Sequence, residues 1–156
     1  LIPWKNVLDN AVFSLELSGI KKHESYPKAK KLMSEFFLNG SENKYPHQLS
    51  KGMKQRVSLI RSFLTNRPIL LLDEPFSPLD SITKEDLQDW LINILKKHNK
   101  SVVLVTHNID EALKISNKLI VLNGDPAKIV TEIGINKKSN LPNLKIKIKE
   151  LLKRNE

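Results

Sequence analysis

Ile69-Leu70-Leu71-Leu72-Asp73-Glu74-Pro75 is the stretch that decides the fold. Four apolar residues run without alternation and end on two carboxylates. A run with no polar face predicts a strand buried on both sides, the habit of a parallel sheet covered by helices. Ligands of such sheets bind beyond the carboxyl ends of the strands, where Asp73 and Glu74 stand. Two buried carboxylates are costly unless a cation or a partner compensates them. Pro75 forbids continuation as a central strand. Taken alone, the segment is equally compatible with a strand that simply exits into a polar loop.

The neighbouring segments narrow that choice. Upstream lies Leu49-Ser50-Lys51-Gly52-Met53-Lys54-Gln55-Arg56, and downstream Ser77-Pro78-Leu79-Asp80. Further on comes Val102-Val103-Leu104-Val105-Thr106-His107. In this order and at this spacing the set resembles the nucleotide-binding subunit of ABC transporters: signature motif, Walker B strand, D-loop and switch histidine. The resemblance implies an α/β fold, a partial P-loop NTPase-type (RecA-like) core joined to an α-helical subdomain. It divides the chain into a helical subdomain over 1–62, with the signature motif at 49–53, a C-terminal part of the ATPase core over 63–135, and a basic tail over 136–156.

The same resemblance implies roles. Asp73 would hold Mg²⁺ through water, and Glu74 would polarise the attacking water as general base. His107 would reach the γ-phosphate. Ser50, Lys51, Gly52 and Met53 would close on ATP held by a second ATPase subunit in a head-to-tail dimer, and Asp80 would reach that subunit's phosphate loop, cap the following helix, or do both. Lys51 stands where the family commonly has a glycine, and Pro78 where a small residue is commoner. Leu1-Ile2-Pro3-Trp4 lies where a transmembrane permease docks, so Trp4 is either an exposed permease contact or a buried anchor between subdomains.

Independently of any family, Ser50 is a good N-cap, and the helix after it carries Met53, Val57, Ile60 and Leu64 on one face. A helix N-terminus offers free N–H groups to an anion, and a glycine there lets backbone approach a phosphate. Val7, Leu8, Val12, Leu15 and Leu17 predict an earlier helix. Ala29, Leu32, Met33, Phe36 and Phe37 predict a second, stopped at Asn39-Gly40-Ser41. Thr83 with Asp86 resembles a capping-box start, and Leu87, Leu91, Ile94 and Leu95 form the stripe behind it. His98 closes that helix among lysines as a solvated cap, and His23 is solvated too. Residues 101–106 predict a second buried strand, Asn108 a cap, and Asn123-Gly124-Asp125-Pro126 a turn between antiparallel strands. Ile148, Leu151 and Leu152 share a helical face near the end, which packs on the domain in preference to a membrane surface.

The 156 residues hold 40% apolar side chains, enough for a sizeable core, and no cysteine, which excludes disulfides and thiolate metal sites. No apolar run reaches the roughly 20 residues of a membrane helix. The net charge of +9 is concentrated toward the end, where Asn136–Glu156 holds seven Lys or Arg against two Glu. A charge excess placed in a tail and otherwise scattered argues against a nucleic-acid groove. The five glycines stand apart at 19, 40, 52, 124 and 134, and no Gly-x-x-x-x-Gly-Lys-Ser/Thr occurs. The resemblance then implies that the phosphate loop and the γ-phosphate-sensing glutamine lie before Leu1, and that these residues alone show no ATPase activity.

The family comparison points most to the nitrate, sulfonate and taurine importers, with ATP and Mg²⁺ as cofactors, a substrate-binding protein as an indirect partner and the cytoplasmic membrane face as location. Two alternatives stand beside it: a soluble ABC ATPase of translation or DNA repair, and a degenerate remnant without catalysis.

Overall fold

The computed structural model describes residues 1–77, 79–136 and 139–153, so Pro78 of the D-loop and Lys137, Lys138 and 154–156 of the tail lie outside it. The chain forms two compact units, Leu1–Val103 and Leu104–Glu156.

The first unit opens with α1 (Val7–Leu17), capped by the Asn6 side chain, and α2 (Lys22–Glu35). The expected apolar faces are inside: Val7, Leu8, Val12 and Leu15 from α1, and Ala29, Met33 and Phe36. Leu17 and Phe37 are exposed instead. Phe37 sits just past the helix in the left-handed region (φ 53°), which turns its side chain outward. Asp9 Oδ1 accepts from Lys22 Nζ at 2.7 Å and from the Tyr26 hydroxyl, joining α1 to α2. After a short 3₁₀ turn at Pro46–Gln48 comes α3 (Lys51–Leu64), which packs against α1. Its buried face is Val57, Leu59, Ile60 and Phe63.

β1 (Ile69–Asp73) follows, then α4 (Ser81–Lys97) and β2 (Ser101–Val105). β1 and β2 are neighbours in one sheet, and the 17-residue α4 between them is a connection of the length parallel strands need. The strands alternate, contrary to the expectation of burial on both faces. Leu70 and Leu72 are buried, while Ile69 (54% exposed), Leu71 (78%), Val103 (53%) and Val105 (57%) face outward. The apolar run reports a strand suited to cover on two faces, and the described residues cover one. Of the two starts that the sequence offers for α4, Asp80 rather than Thr83 is the N-cap, and its carboxylate accepts the Thr83 N–H at 3.0 Å. Leu87, Leu91, Ile94 and Leu95 are buried as the spacing requires, with Trp90 beside them. Trp90 meets Phe36 edge-on at 4.3 Å between ring centroids, and its indole N–H donates to the Glu35 carbonyl.

His98 caps the end of α4 but is not solvated. Its Nε2 lies 2.7 Å from Glu35 Oε2, and its ring meets Phe63 edge-on. A carboxylate at the end of α2 explains the difference: it offers a half-buried imidazole a better partner than water. His23 is exposed, as expected.

The second unit contains α5 (Ile109–Ile115), β3 (Lys118–Asn123), β4 (Lys128–Gly134) and α6 (Leu141–Lys153). β3 and β4 pair antiparallel with an irregularity between Val121 and Leu122, and the turn between them holds Gly124 at φ 91°. Leu113, Val121 and Ile148 form the core, with Leu119, Val130, Leu144 and Leu152 packed around them. The amphipathic end of the chain thus lies against its own unit.

Candidate functional site

β1 delivers its two carboxylates differently. Asp73 is the last strand residue and is exposed. Glu74 breaks the strand with φ 44°, a left-handed conformation that costs a non-glycine residue on the order of 1–3 kcal/mol. Strand geometry alone would point adjacent side chains to opposite faces, and the break at Glu74 releases the pair from that rule. Behind it, Ser77 donates its hydroxyl to Glu74 Oε2, and the Ser77 N–H donates to the Glu74 carbonyl at 3.3 Å. Buried Pro75 and fully buried Phe76 anchor the turn. Ser77 escaped sequence reasoning as an orienting group because nothing in its spacing marks the turn that brings its hydroxyl back to Glu74.

The signature stretch starts α3. The Ser50 oxygen accepts the Met53 N–H at 3.2 Å, which leaves the hydroxyl proton to point away from the helix. Ser50 and Lys51 are exposed and Met53 is half-buried. Gly52 is buried, and a Cβ built on it would stand 3.0 Å from Thr83 Cγ2 on α4. Its missing side chain therefore also serves helix packing, whatever approaches the backbone there. Through this contact the first turn of α3 lies beside the first turn of α4, which Asp80 caps. The Asp80 carboxyl is held below its ordinary value by the backbone and side-chain hydrogen bonds of Thr83.

Arg56, later on α3, was passed over in the sequence. Its guanidinium lies 5.7 Å from the Phe37 ring and 5.9 Å from the Trp90 ring, and its Nε is buried with no hydrogen-bond partner. Burial pushes the group below its ordinary value, and the charge of Asp86 opposes that.

Trp4, in the turn before α1, is 77% exposed among the described residues. His107 belongs to the second unit and is exposed. The turn carrying it is held on both sides. Thr106 Oγ1 donates to Glu111 Oε2 at 2.7 Å and accepts the Asn108 N–H at 3.0 Å, while Asn108 Oδ1 caps α5. Glu111 is 3% exposed. It lies three residues beyond the Asn108 cap, and its spacing carries no mark of this role.

Among the described residues no three His, Asp or Glu side chains gather as a metal site. A hard cation held at Asp73 would take most of its oxygens from water and from the phosphates of a bound nucleotide, the usual habit of Mg²⁺. The exposed Asp73 carboxylate fits that arrangement. No helix among the described residues is long and apolar enough to cross a membrane.

Residues 1–77 match the ABC transporter family model. An ABC transporter ATP-binding protein of Methanocaldococcus jannaschii is 45% identical over 129 residues, 83% of this chain and 48% of that protein. The formylaminopyrimidine import ATP-binding protein of Halalkalibacterium halodurans is 40% identical, over 86% of this chain and 54% of its own length. The taurine import ATP-binding protein of Shigella flexneri is 38% identical over 87% and 53%. The chain thus spans about half the length of the curated relatives it matches. A solved metal-chelate type ABC transporter in an inward-facing conformation superposes with a TM-score of 0.78 at 23% identity, over 96% of this chain and 58% of that one. The chain belongs to the ABC transporter family and has the fold of part of its P-loop NTPase-type ATP-binding domain.

Proposed function

We propose that this chain contributes to the ATP-binding subunit of an ABC importer, coupling ATP hydrolysis to uptake of a small solute through a membrane permease at the cytoplasmic face. The observation that carries the reading is the end of β1, where exposed Asp73 is followed by Glu74 in a strained, Ser77-braced conformation. Strain of this kind persists only where the surroundings enforce it, and it clusters at functional sites. An intact, braced carboxylate pair argues against a decayed remnant.

In this reading Glu74 accepts a proton from the attacking water and orients it, with Ser77 fixing the carboxylate. Asp73 holds Mg²⁺ through water, and the cation when bound neutralises charge on the phosphates. His107 contacts the γ-phosphate from a turn kept in shape by Glu111. The Ser50 hydroxyl and the first-turn amides of Lys51, Gly52 and Met53 face the nucleotide of a second ATPase subunit, and Asp80 contacts that subunit's phosphate loop. Residues 1–62 form the helical subdomain, 63–135 belong to the ATPase core, and 136–156 form a basic tail.

Taurine and formylaminopyrimidine appear in the names of relatives. Together with the sequence resemblance they support a small, polar or anionic solute such as nitrate, a sulfonate or taurine, selected by a permease and a substrate-binding protein. Trp4 contacts the permease. Coupling is tested with Trp4→Glu in the native transporter. Uptake should be lost while ATP hydrolysis by the subunit persists, and unchanged uptake with intact permease association would refute the docking role.

A further inference from the structure

Asn10 is polar, fully buried (0% exposed) and outside every catalytic motif. Its side-chain hydrogen bonds are directed at the segment that carries Trp4. Its Oδ1 accepts the Ile2 N–H at 2.7 Å. Its amide nitrogen lies 3.0 Å from the Ile2 carbonyl, 2.8 Å from that of Lys5 and 3.0 Å from that of Asn6. Two N–H groups thus serve three carbonyls, and one oxygen serves one amide. The Lys5 N–H also donates to the Ile2 carbonyl at 3.3 Å, closing residues 2–5 into a turn with Trp4 near its apex. On the far side, Val7 and Leu8 N–H groups donate to the carbonyls of Lys44 and Glu42, which fixes the base of the turn.

A buried amide that mimics backbone in this way makes a loop rigid without any regular structure. The turn has little apolar support of its own, since Leu1, Pro3 and Trp4 are all exposed. An exposed tryptophan on a rigid support is the combination that makes a binding anchor effective. The aromatic surface supplies contact area, and the ordering cost has been met before the partner arrives.

We infer that Asn10 is a positioning residue, whose buried side chain pins the Ile2–Asn6 turn so that Trp4 is presented ready-made to the cytoplasmic segment of the membrane permease. This rests on the docking role proposed for Trp4, and the test separates the two. Trp4 and Trp90 are the two tryptophans of this chain, and fluorotryptophan labelling of the native protein gives each a ¹⁹F resonance that Trp4→Phe and Trp90→Phe assign. Asn10→Ala should narrow the Trp4 resonance and move it toward the free amino acid value, leaving that of Trp90 in place. It should also weaken permease association by about tenfold, the factor expected when roughly one hydrogen bond's worth of preorganisation is lost. A Trp4 resonance unaltered by Asn10→Ala would overturn the inference, and so would full permease association in Asn10→Ala when Trp4→Glu abolishes it. Association that survives Trp4→Glu would instead defeat the docking role, and the pinning of the turn would be judged on the ¹⁹F result. If Asn10→Ala does not fold, the wild-type protein decides. The Ile2 amide should exchange with solvent as slowly as amides inside α1, and fast exchange would overturn the proposal.

Discussion

Gly52→Ala separates a packing role for this glycine from a ligand role. In the first turn of α3, alanine improves helix propensity by up to about 1 kcal/mol over glycine. Against that stands the 3.0 Å approach of the new Cβ to Thr83 Cγ2, below ordinary van der Waals contact. Relief requires α4 to shift or Thr83 to leave its rotamer, and overpacking of this kind costs about 1–3 kcal/mol. The net change should therefore run from near zero to about 3 kcal/mol of destabilisation. Thr83→Ser removes the offending methyl and keeps the hydroxyl. In that background Gly52→Ala should become stabilising by up to about 1 kcal/mol. Urea unfolding of the four proteins in the double-mutant cycle, followed by Trp90 fluorescence, gives the coupling directly. Equal effects of Gly52→Ala in both backgrounds would refute the packing argument.

The Glu35 carboxyl is pushed up by burial, but hydrogen bonds from His98 and Lys97 outweigh this and hold it below its ordinary value. A depressed carboxylate contributes stability that is present above its unfolded pKa and lost as pH falls through the folded one. Glu35→Gln should thus cost about 1–3 kcal/mol at neutral pH, with the loss shrinking below about pH 4.5, measured by denaturant titration across pH. Glu111→Ala should strip the buried acceptor from Thr106, lower stability by about 1–3 kcal/mol and slow ATP turnover by loosening the His107 turn. Glu111→Gln, which keeps an acceptor oxygen, should recover most of both in the same unfolding and steady-state assays.

Much of the molecule is legible from local rules. The Ser50 and Asn108 caps, the stripe of α4 and the inward face of α6 follow from spacing and capping chemistry, which act within a few residues. What escaped depends on distant partners. His98 looks like any cation at a helix end until Glu35, brought near through the Phe36, Phe63 and Trp90 contacts, accepts it. The packing of Gly52 against Thr83 is likewise invisible in the sequence, because the two residues lie on different helices. The run at Ile69–Leu72 shows what the strand is suited to, not which face the described residues cover. In the carboxylate pair, residue types and order pointed to a site, whereas the left-handed turn at Glu74 and the Ser77 brace exist only in three dimensions.

Glu74→Gln tests the central claim most directly, because it keeps the size of the side chain and removes its basicity. Steady-state Mg-ATPase rates and nucleotide titrations should be measured on the native protein and the variant together. Hydrolysis should fall by roughly 10²–10⁴-fold, as expected for loss of a general base, while Mg-ATP binding is retained. Wild-type hydrolysis in Glu74→Gln would contradict the assignment of Glu74 and the function built on it.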